Sequence, residues 1–151
     1  MIILTDDDKM WLSHWKVGRQ LGTEWLADNP PADRVRAMLV KMLDRGGGPK
    51  SVFARVLGDH LGADPVQVYA ENWPRKAARL AADARERGDH PHADQLHAAL
   101  IALMYCANCG RPLNDPVSID RGIGPDCWQV IAPDWRNAIS TRLAGQILGA
   151  A

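Results

Sequence analysis

The spacing of the three cysteines constrains this chain of 151 residues more than any other feature. Two residues separate Cys106 from Cys109, and Cys127 follows after a loop of 17 residues. Thiolates are preferred ligands of zinc, and two cysteines at the first spacing can bind one ion because the intervening turn points both sulfurs inward. The pattern therefore predicts a zinc site with Cys106, Cys109 and Cys127 as ligands.

The residues around the cysteines favour the same site. Gly110, directly after the second cysteine, tolerates the unusual backbone angles that turn amides toward the sulfurs. Pro125 predicts a helix start, which places Cys127 in the first helical turn, where the helix dipole favours a thiolate. A knuckle, a loop and a ligand at a helix start resemble the layout of a treble-clef zinc finger.

The spacing does not identify a fourth ligand. A treble clef usually carries it three residues after the third ligand, where this chain has Val130, which cannot bind zinc. Asp115 in the loop is the preferred candidate, although an aspartate before a proline often caps a turn with its carboxylate instead. The remaining candidates are Asp120, Asp126, His97 and a water molecule.

The segment from Cys106 to Trp128 resembles a small three-cysteine domain of unknown function, found mostly in actinobacterial and phage proteins. The shared pattern is C-x-x-C-G-R-P-L-x-D-P-x-S followed by G-I-G-P-x-C, and it spans roughly a sixth of the chain. The resemblance implies no activity. It does imply that three cysteines are the normal set of the family, so that no fourth cysteine has been lost.

Composition narrows the class of protein and its partners. The chain has 18 basic and 18 acidic side chains, so a nucleic-acid partner would have to meet a local positive patch. Hydrophobic residues make up 46% of the chain, enough for a core. The first residues lack a signal-peptide pattern, and no stretch approaches the length of about 18 apolar residues that spans a membrane. We therefore expect a cytoplasmic protein that does not contact membranes.

Helical periodicity predicts a mainly α-helical fold, a helical bundle with a zinc-stapled, treble-clef-like segment near the C-terminus. Thr5 before three aspartates predicts the start of a first helix, which would run to about Asp28. Gly18 and Gly22 would let another helix approach closely. Three aromatic residues share one face of this helix: Trp11, Trp15 and Trp25. We expect this face in the core, with a groove for a partner as the alternative.

The remaining helices complete a division into three parts. A second helix is predicted from Ala32 to Arg45, and helices over about 74–88 and 93–105 are expected to form an antiparallel hairpin. We predict a helical domain over residues 1–104, a zinc module over 105–132 and a C-terminal helix over 133–151.

Residues 51–73 predict a helix, a tight turn at Gly62 and a second helix that begins at Pro65. This arrangement resembles the helix-turn-helix of DNA-binding regulators, although any two packed helices joined by a glycine share much of it. Pro74 keeps the second helix short, which argues against DNA binding. In the DNA-binding interpretation, base and phosphate contacts would come from five residues: Gln67, Tyr69, Asn72, Arg75 and Lys76.

These features favour a zinc-binding accessory or regulatory protein that acts by binding a macromolecule, above all nucleic acid. The alternative is a phage-type adaptor or inhibitor that binds a host protein, and a metal-dependent hydrolase with an open zinc position comes third. The chain contains no Walker loop, no G-x-S-x-G, no H-E-x-x-H and no deaminase motif, so we expect neither an enzyme nor a small-molecule substrate. A second cluster offers further possible ligands: His90, His92, Asp94 and His97. His90 and His92 flank a proline in a predicted loop, where we expect them to be exposed.

Overall fold

The computed structural model describes residues 4–13 and 19–131 of the chain. Their packing divides the protein between Tyr69 and Ala70 into two compact units. The predicted mainly helical fold is confirmed, since the described residues form helices and a single isolated bridge between Tyr105 and Pro112. The predicted domain bounds at 104 and 132 stay predictions, and the C-terminal helix over 133–151 lies outside the described residues.

The described part of the first unit is built from short helices. They are α1 (Asp6–Ser13), α2 (Arg19–Leu26), α3 (Ala32–Met42), α4 (Val52–Leu61) and the beginning of α5 (Pro65–Asn72). One π-helical turn, Leu43–Gly47, continues α3, so the second predicted helix is confirmed. The first predicted helix is described as α1 and α2, and residues 14–18 between them lie outside the described residues.

The core of the first unit forms where α2, α3 and α4 meet. A Cβ at Gly22 would lie 2.8 Å from Cδ2 of Phe53, so this glycine admits α4 closely, as predicted. Trp25 is buried, which confirms the core interpretation for that residue; Trp11 is half-buried, and Trp15 lies outside the described residues. Other buried side chains complete the core: Leu12, Val35, Met38, Leu39, Met42, Phe53 and Leu57.

A buried carboxylate fixes the start of α1. Thr5 and Asp8 form a capping box, in which the Asp8 amide donates to Thr5 Oγ1 at 3.1 Å and the Thr5 amide donates to Asp8 Oδ2 at 2.9 Å. Trp25 Nε1 donates to Asp8 Oδ1 at 3.0 Å, and Arg34 donates to both carboxylate oxygens at 2.8 and 2.6 Å. Burial alone would raise the pKa of Asp8, but these hydrogen bonds lower it to about 2.

The second unit contains the predicted helical hairpin and the three cysteines. Helices α6 (Pro74–Glu86) and α7 (His90–Ala102) pack along each other, followed by α8 (Pro116–Arg121) and α9 (Pro125–Val130). The predicted loop at His90 and His92 is instead the first turn of α7, because the Asp89 side chain caps the His92 amide at 3.4 Å. His92 is buried there, so its predicted exposure is wrong. None of the described helices has both the length and the apolar character that a membrane crossing requires.

Candidate metal centre

The sulfur atoms of Cys106, Cys109 and Cys127 all lie within 4.8 Å of one another. Zinc bound to thiolates has Zn–S distances of about 2.3 Å, which separates two sulfurs of a tetrahedral site by about 3.8 Å. The three side chains therefore converge as metal ligands must. In the part of the chain that the structure describes, no other group of histidine, cysteine or carboxylate side chains does so.

Backbone hydrogen bonds build the knuckle that carries the first two sulfurs. The Cys106 amide donates to the Arg111 carbonyl and the Gly110 amide to the Cys106 carbonyl, both at 2.8 Å. The Gly124 amide donates to Cys106 Sγ at 3.3 Å, and this residue directly precedes the helix that presents Cys127. The knuckle and the start of α9 thus meet at the sulfur of Cys106.

The three cysteines pack in or against a small cluster of buried apolar side chains. Its buried members are Cys106, Ala107, Leu113, Ile123 and Ile131, with Ile101, Ile119 and Trp128 packed against them. Leu113 and Ile123 lie in the loop between Cys109 and Cys127, so this loop contributes two buried residues to the cluster. A metal ion bound by the sulfurs would act together with these apolar contacts.

Gly110 attaches the knuckle to the start of α6. Its φ is +78°, a conformation that favours glycine, and a Cβ at this position would overlap the Pro74 carbonyl oxygen and lie 2.6 Å from the Arg75 nitrogen. The sequence indicated the need for unusual backbone angles here. The sequence did not indicate that α6 lies against Gly110. Arg75 is 35 residues away along the chain, and a local sequence pattern carries no information on such a distant contact.

The environments of the first two sulfurs differ. Burial alone would raise the pKa of Cys106, but hydrogen bonds from the amides of Gly124, Cys109 and Asn108 outweigh it, and the pKa is lowered. Burial and the neighbouring charge of Cys106 raise the pKa of Cys109 to about 12. The chain therefore stabilises one thiolate on its own. A second thiolate beside the first requires a cation, which a bound metal ion supplies.

The candidate fourth ligands have different surroundings in the structure. Asp115 is the N-cap of α8, where its Oδ2 accepts from the Ser118 amide at 2.9 Å, and this hydrogen bonding lowers its pKa. Asp115 and Asp126 both line a cavity next to the three cysteines. Asp120 is exposed on α8 and His97 is buried in α7. The assignment of Asp115 as fourth ligand stays a prediction.

The residues of the predicted nucleic-acid interface lie on α5 and α6. The helix, tight turn and helix are confirmed: Ser51 caps α4, Gly62 has φ of +66°, and a Cβ at Gly58 would lie 2.7 Å from the Ala63 carbonyl oxygen. Gln67 and Tyr69 are half-buried in the first unit. Three residues are exposed in the second unit: Asn72, Arg75 and Lys76. Their contact with nucleic acid stays a prediction.

Residues 103–131 match the model of a family of unknown function, DUF6011. The match covers a minority of the chain but includes all three cysteines, and it assigns no activity to them. No curated protein and no solved structure matches the chain. The distribution among actinobacteria and phages and the treble-clef assignment stay predictions.

Sequence reasoning missed Arg111 as a member of the same surface as Arg75 and Lys76. All three side chains are exposed, and Arg111 directly follows the glycine that packs on Arg75. Among the described residues, no carboxylate is seen in an ion pair with Arg111 or Arg75. The cysteine knuckle thus adds a third cation to two that the sequence had already indicated.

Proposed function

We propose that the protein is a zinc-stapled module that binds nucleic acid through a positive surface on its second unit. This surface, called the basic face below, consists of Arg75, Lys76 and Arg111. Zinc bound by Cys106, Cys109 and Cys127 fixes the knuckle that carries Arg111, in an arrangement of the treble-clef kind.

The observation that carries the proposal is the seat of the knuckle on α6. Gly110 lies against the backbone of Pro74 and Arg75, which brings Arg111 beside the first turn of that helix. Because the chain has no net charge, phosphates can be attracted only by such a local group of cations. Arginine suits this role since its planar guanidinium donates two hydrogen bonds to one phosphate.

Lys76 has a second feature that suits nucleic acid. Its Nζ lies 5.9 Å from the centroid of the Trp73 ring, so a cation and an aromatic side chain are adjacent next to α6. Proteins that bind single strands commonly combine positive charge for the backbone with aromatic rings for the bases. Within the second unit, Asn72 would read bases and the basic face would contact phosphates.

The test is a binding titration with fluorescently labelled duplex DNA, single-stranded DNA and RNA over a series of salt concentrations. We expect micromolar binding that weakens with salt, with each phosphate contact on a duplex contributing about 0.9 to the slope of log affinity against log salt. Arg111→Ala and the double variant of Arg75→Ala with Lys76→Ala should both weaken binding to every sequence and flatten this slope.

Arg87→Ala is the matched control. Arg87 is an exposed arginine at the C-cap of the same helix, and it follows Arg75 by 12 residues, about 18 Å along the axis. Its removal lowers the net charge as much as the removal of Arg111 does and should leave affinity nearly unchanged. Equal losses from Arg87→Ala and Arg111→Ala would mean that net charge and not the basic face governs binding.

A protein-binding adaptor is the second candidate, and exposed apolar side chains of the second unit favour it. Met104 is 56% exposed, Val117 54% and Val130 78%. Large exposed apolar side chains are typical of surfaces that bind other proteins when they are contiguous. Absence of any salt-sensitive binding to the three nucleic acids would favour this candidate over the first.

A further inference from the structure

We propose that a metal ion at the three cysteines keeps an open fourth position, which faces a cavity and accepts a neutral nitrogen donor such as an imidazole. The inference rests on the metal-binding part of the proposed function and does not depend on nucleic-acid binding.

The three cysteines form one wall of a cavity of about 230 Å³. The polar side chains of the other walls are Arg111, Asn114, Asp115 and Asp126. A water molecule takes up about 30 Å³ in the liquid, so this volume admits an imidazole ring with room to spare. Cys109 and Cys127 are only half-buried, so a ligand can reach the sulfurs from solvent.

None of the usual positions supplies a fourth protein ligand. Val130, where a treble clef usually has that ligand, cannot coordinate a metal and is 78% exposed. The sequence after Cys127 contains neither cysteine nor histidine. One oxygen of Asp115 already accepts the Ser118 amide at 2.9 Å, and among the described residues only the three sulfurs lie within 4.8 Å of one another.

Charge selects the kind of donor that fits the open position. A divalent ion with three thiolates has a net charge of −1, and the carboxylates of Asp115 and Asp126 stand on the cavity walls. Arg111 offsets only part of this negative charge. An anionic fourth ligand would meet repulsion, whereas an imidazole nitrogen is neutral and is a good ligand for zinc and cobalt. The natural ligand of this class would be a histidine side chain of a partner.

The experiment uses the full chain loaded with cobalt(II), whose spectrum reports thiolate ligation and coordination geometry separately. Imidazole should shift the d–d absorption bands in a saturable way while the sulfur-to-cobalt charge-transfer bands persist. Azide, an anion of comparable size, should need a concentration about tenfold higher or more, equivalent to about 1.4 kcal/mol. Asp115→Asn keeps an oxygen that can cap α8 and should leave the d–d bands of the ligand-free protein unchanged.

Each of the other possible results of this experiment contradicts a specific part of the proposal. If no charge-transfer bands form, the cysteines do not bind the metal and the proposed function itself fails. If they form and imidazole changes nothing, or if Asp115→Asn shifts the bands without added ligand, the fourth position is closed and only this inference fails. If azide acts as readily as imidazole, the position is open but the preference for a neutral donor is wrong.

Discussion

In the first unit a buried carboxylate meets donors that the chain itself provides, whereas in the second unit three sulfurs approach one another with only backbone amides to stabilise them. Asp8 receives hydrogen bonds from Thr5, Trp25 and Arg34. Cys106 receives hydrogen bonds from the amides of Gly124, Cys109 and Asn108. The pKa shifts reflect this contrast: hydrogen bonds lower that of Asp8 to about 2, and burial with a neighbouring thiolate raises that of Cys109 to about 12.

This contrast indicates that a bound metal ion matters to the second unit and not to the first. The charge of Asp8 is balanced by the guanidinium of Arg34, 2.6 Å away, so the first unit needs no ion at this point. Three thiolates at the separation of the sulfurs would repel one another, and a bound cation would offset this repulsion. We therefore expect the two units to respond differently to loss of metal, to substitution and to acid.

Loss of the metal should produce the largest difference between the units. Structural zinc contributes about 10–16 kcal/mol of apparent binding free energy in small peptides at neutral pH, and zinc bound by the three cysteines would stabilise residues 105–131. We expect about one zinc per chain by elemental analysis. A chelator or Cys127→Ser should abolish amide-exchange protection in residues 105–131 and leave α3 and α4 protected. Equal loss in both units would contradict the independence of the first unit.

Gly110→Ala should have the next largest effect. A side chain here is strained by the positive φ of +78° and would also overlap Pro74, so we expect a loss of at least about 3 kcal/mol. Gly62→Ala is the matched control, since Gly62 has φ of +66° with nothing within 4 Å of a Cβ. It should cost about 1 kcal/mol. Denaturant titrations with zinc in excess measure both, and equal costs would show that the contact with α6 is unimportant.

Asp8→Asn should destabilise the first unit by about 2–3 kcal/mol, because it removes the charge that holds Arg34 while leaving buried donors behind. The cost stays moderate since the Arg34 side chain is 33% exposed and can be hydrated. Asp6→Asn is the control: Asp6 is fully exposed and lies in the same turn, 3.9 Å from Lys9, so its change should be small. Similar losses for both variants would assign the effect to the helix dipole.

The sequence predicts what is local and misses what is distant along the chain. Thr5 as a helix cap, the turn at Gly62 and the convergence of the cysteines all follow from spacings of a few residues or from ligand chemistry. The capping box was readable too, since Asp8 follows Thr5 by three residues. Its links to Trp25 and Arg34 were not, because they join residues 17 and 26 positions apart.

The same limit explains the errors in the second unit. The proline between His90 and His92 suggested a loop. A proline is also accepted in the first turn of a helix, and here the Asp89 side chain caps the start of α7. The second helix of the hairpin was predicted to run to about residue 105, which would include Met104. The helix ends at Ala102, and Met104 has φ of +63° and is 56% exposed.

Mild acid should produce the smallest difference between the two units: we expect the second unit to lose stability at a higher pH than the first. The pKa of Asp8 is lowered to about 2, so its contribution is complete above the unfolded value of about 3.9 and is lost only as pH falls toward 2. Protons compete with the metal for the cysteine sulfurs, so metal affinity already falls between about pH 7 and 5. Amide exchange across a pH series should therefore show the second unit losing protection first. Simultaneous loss, or loss in the first unit above pH 4, would mean that the Asp8 pair does not govern the acid stability of the first unit.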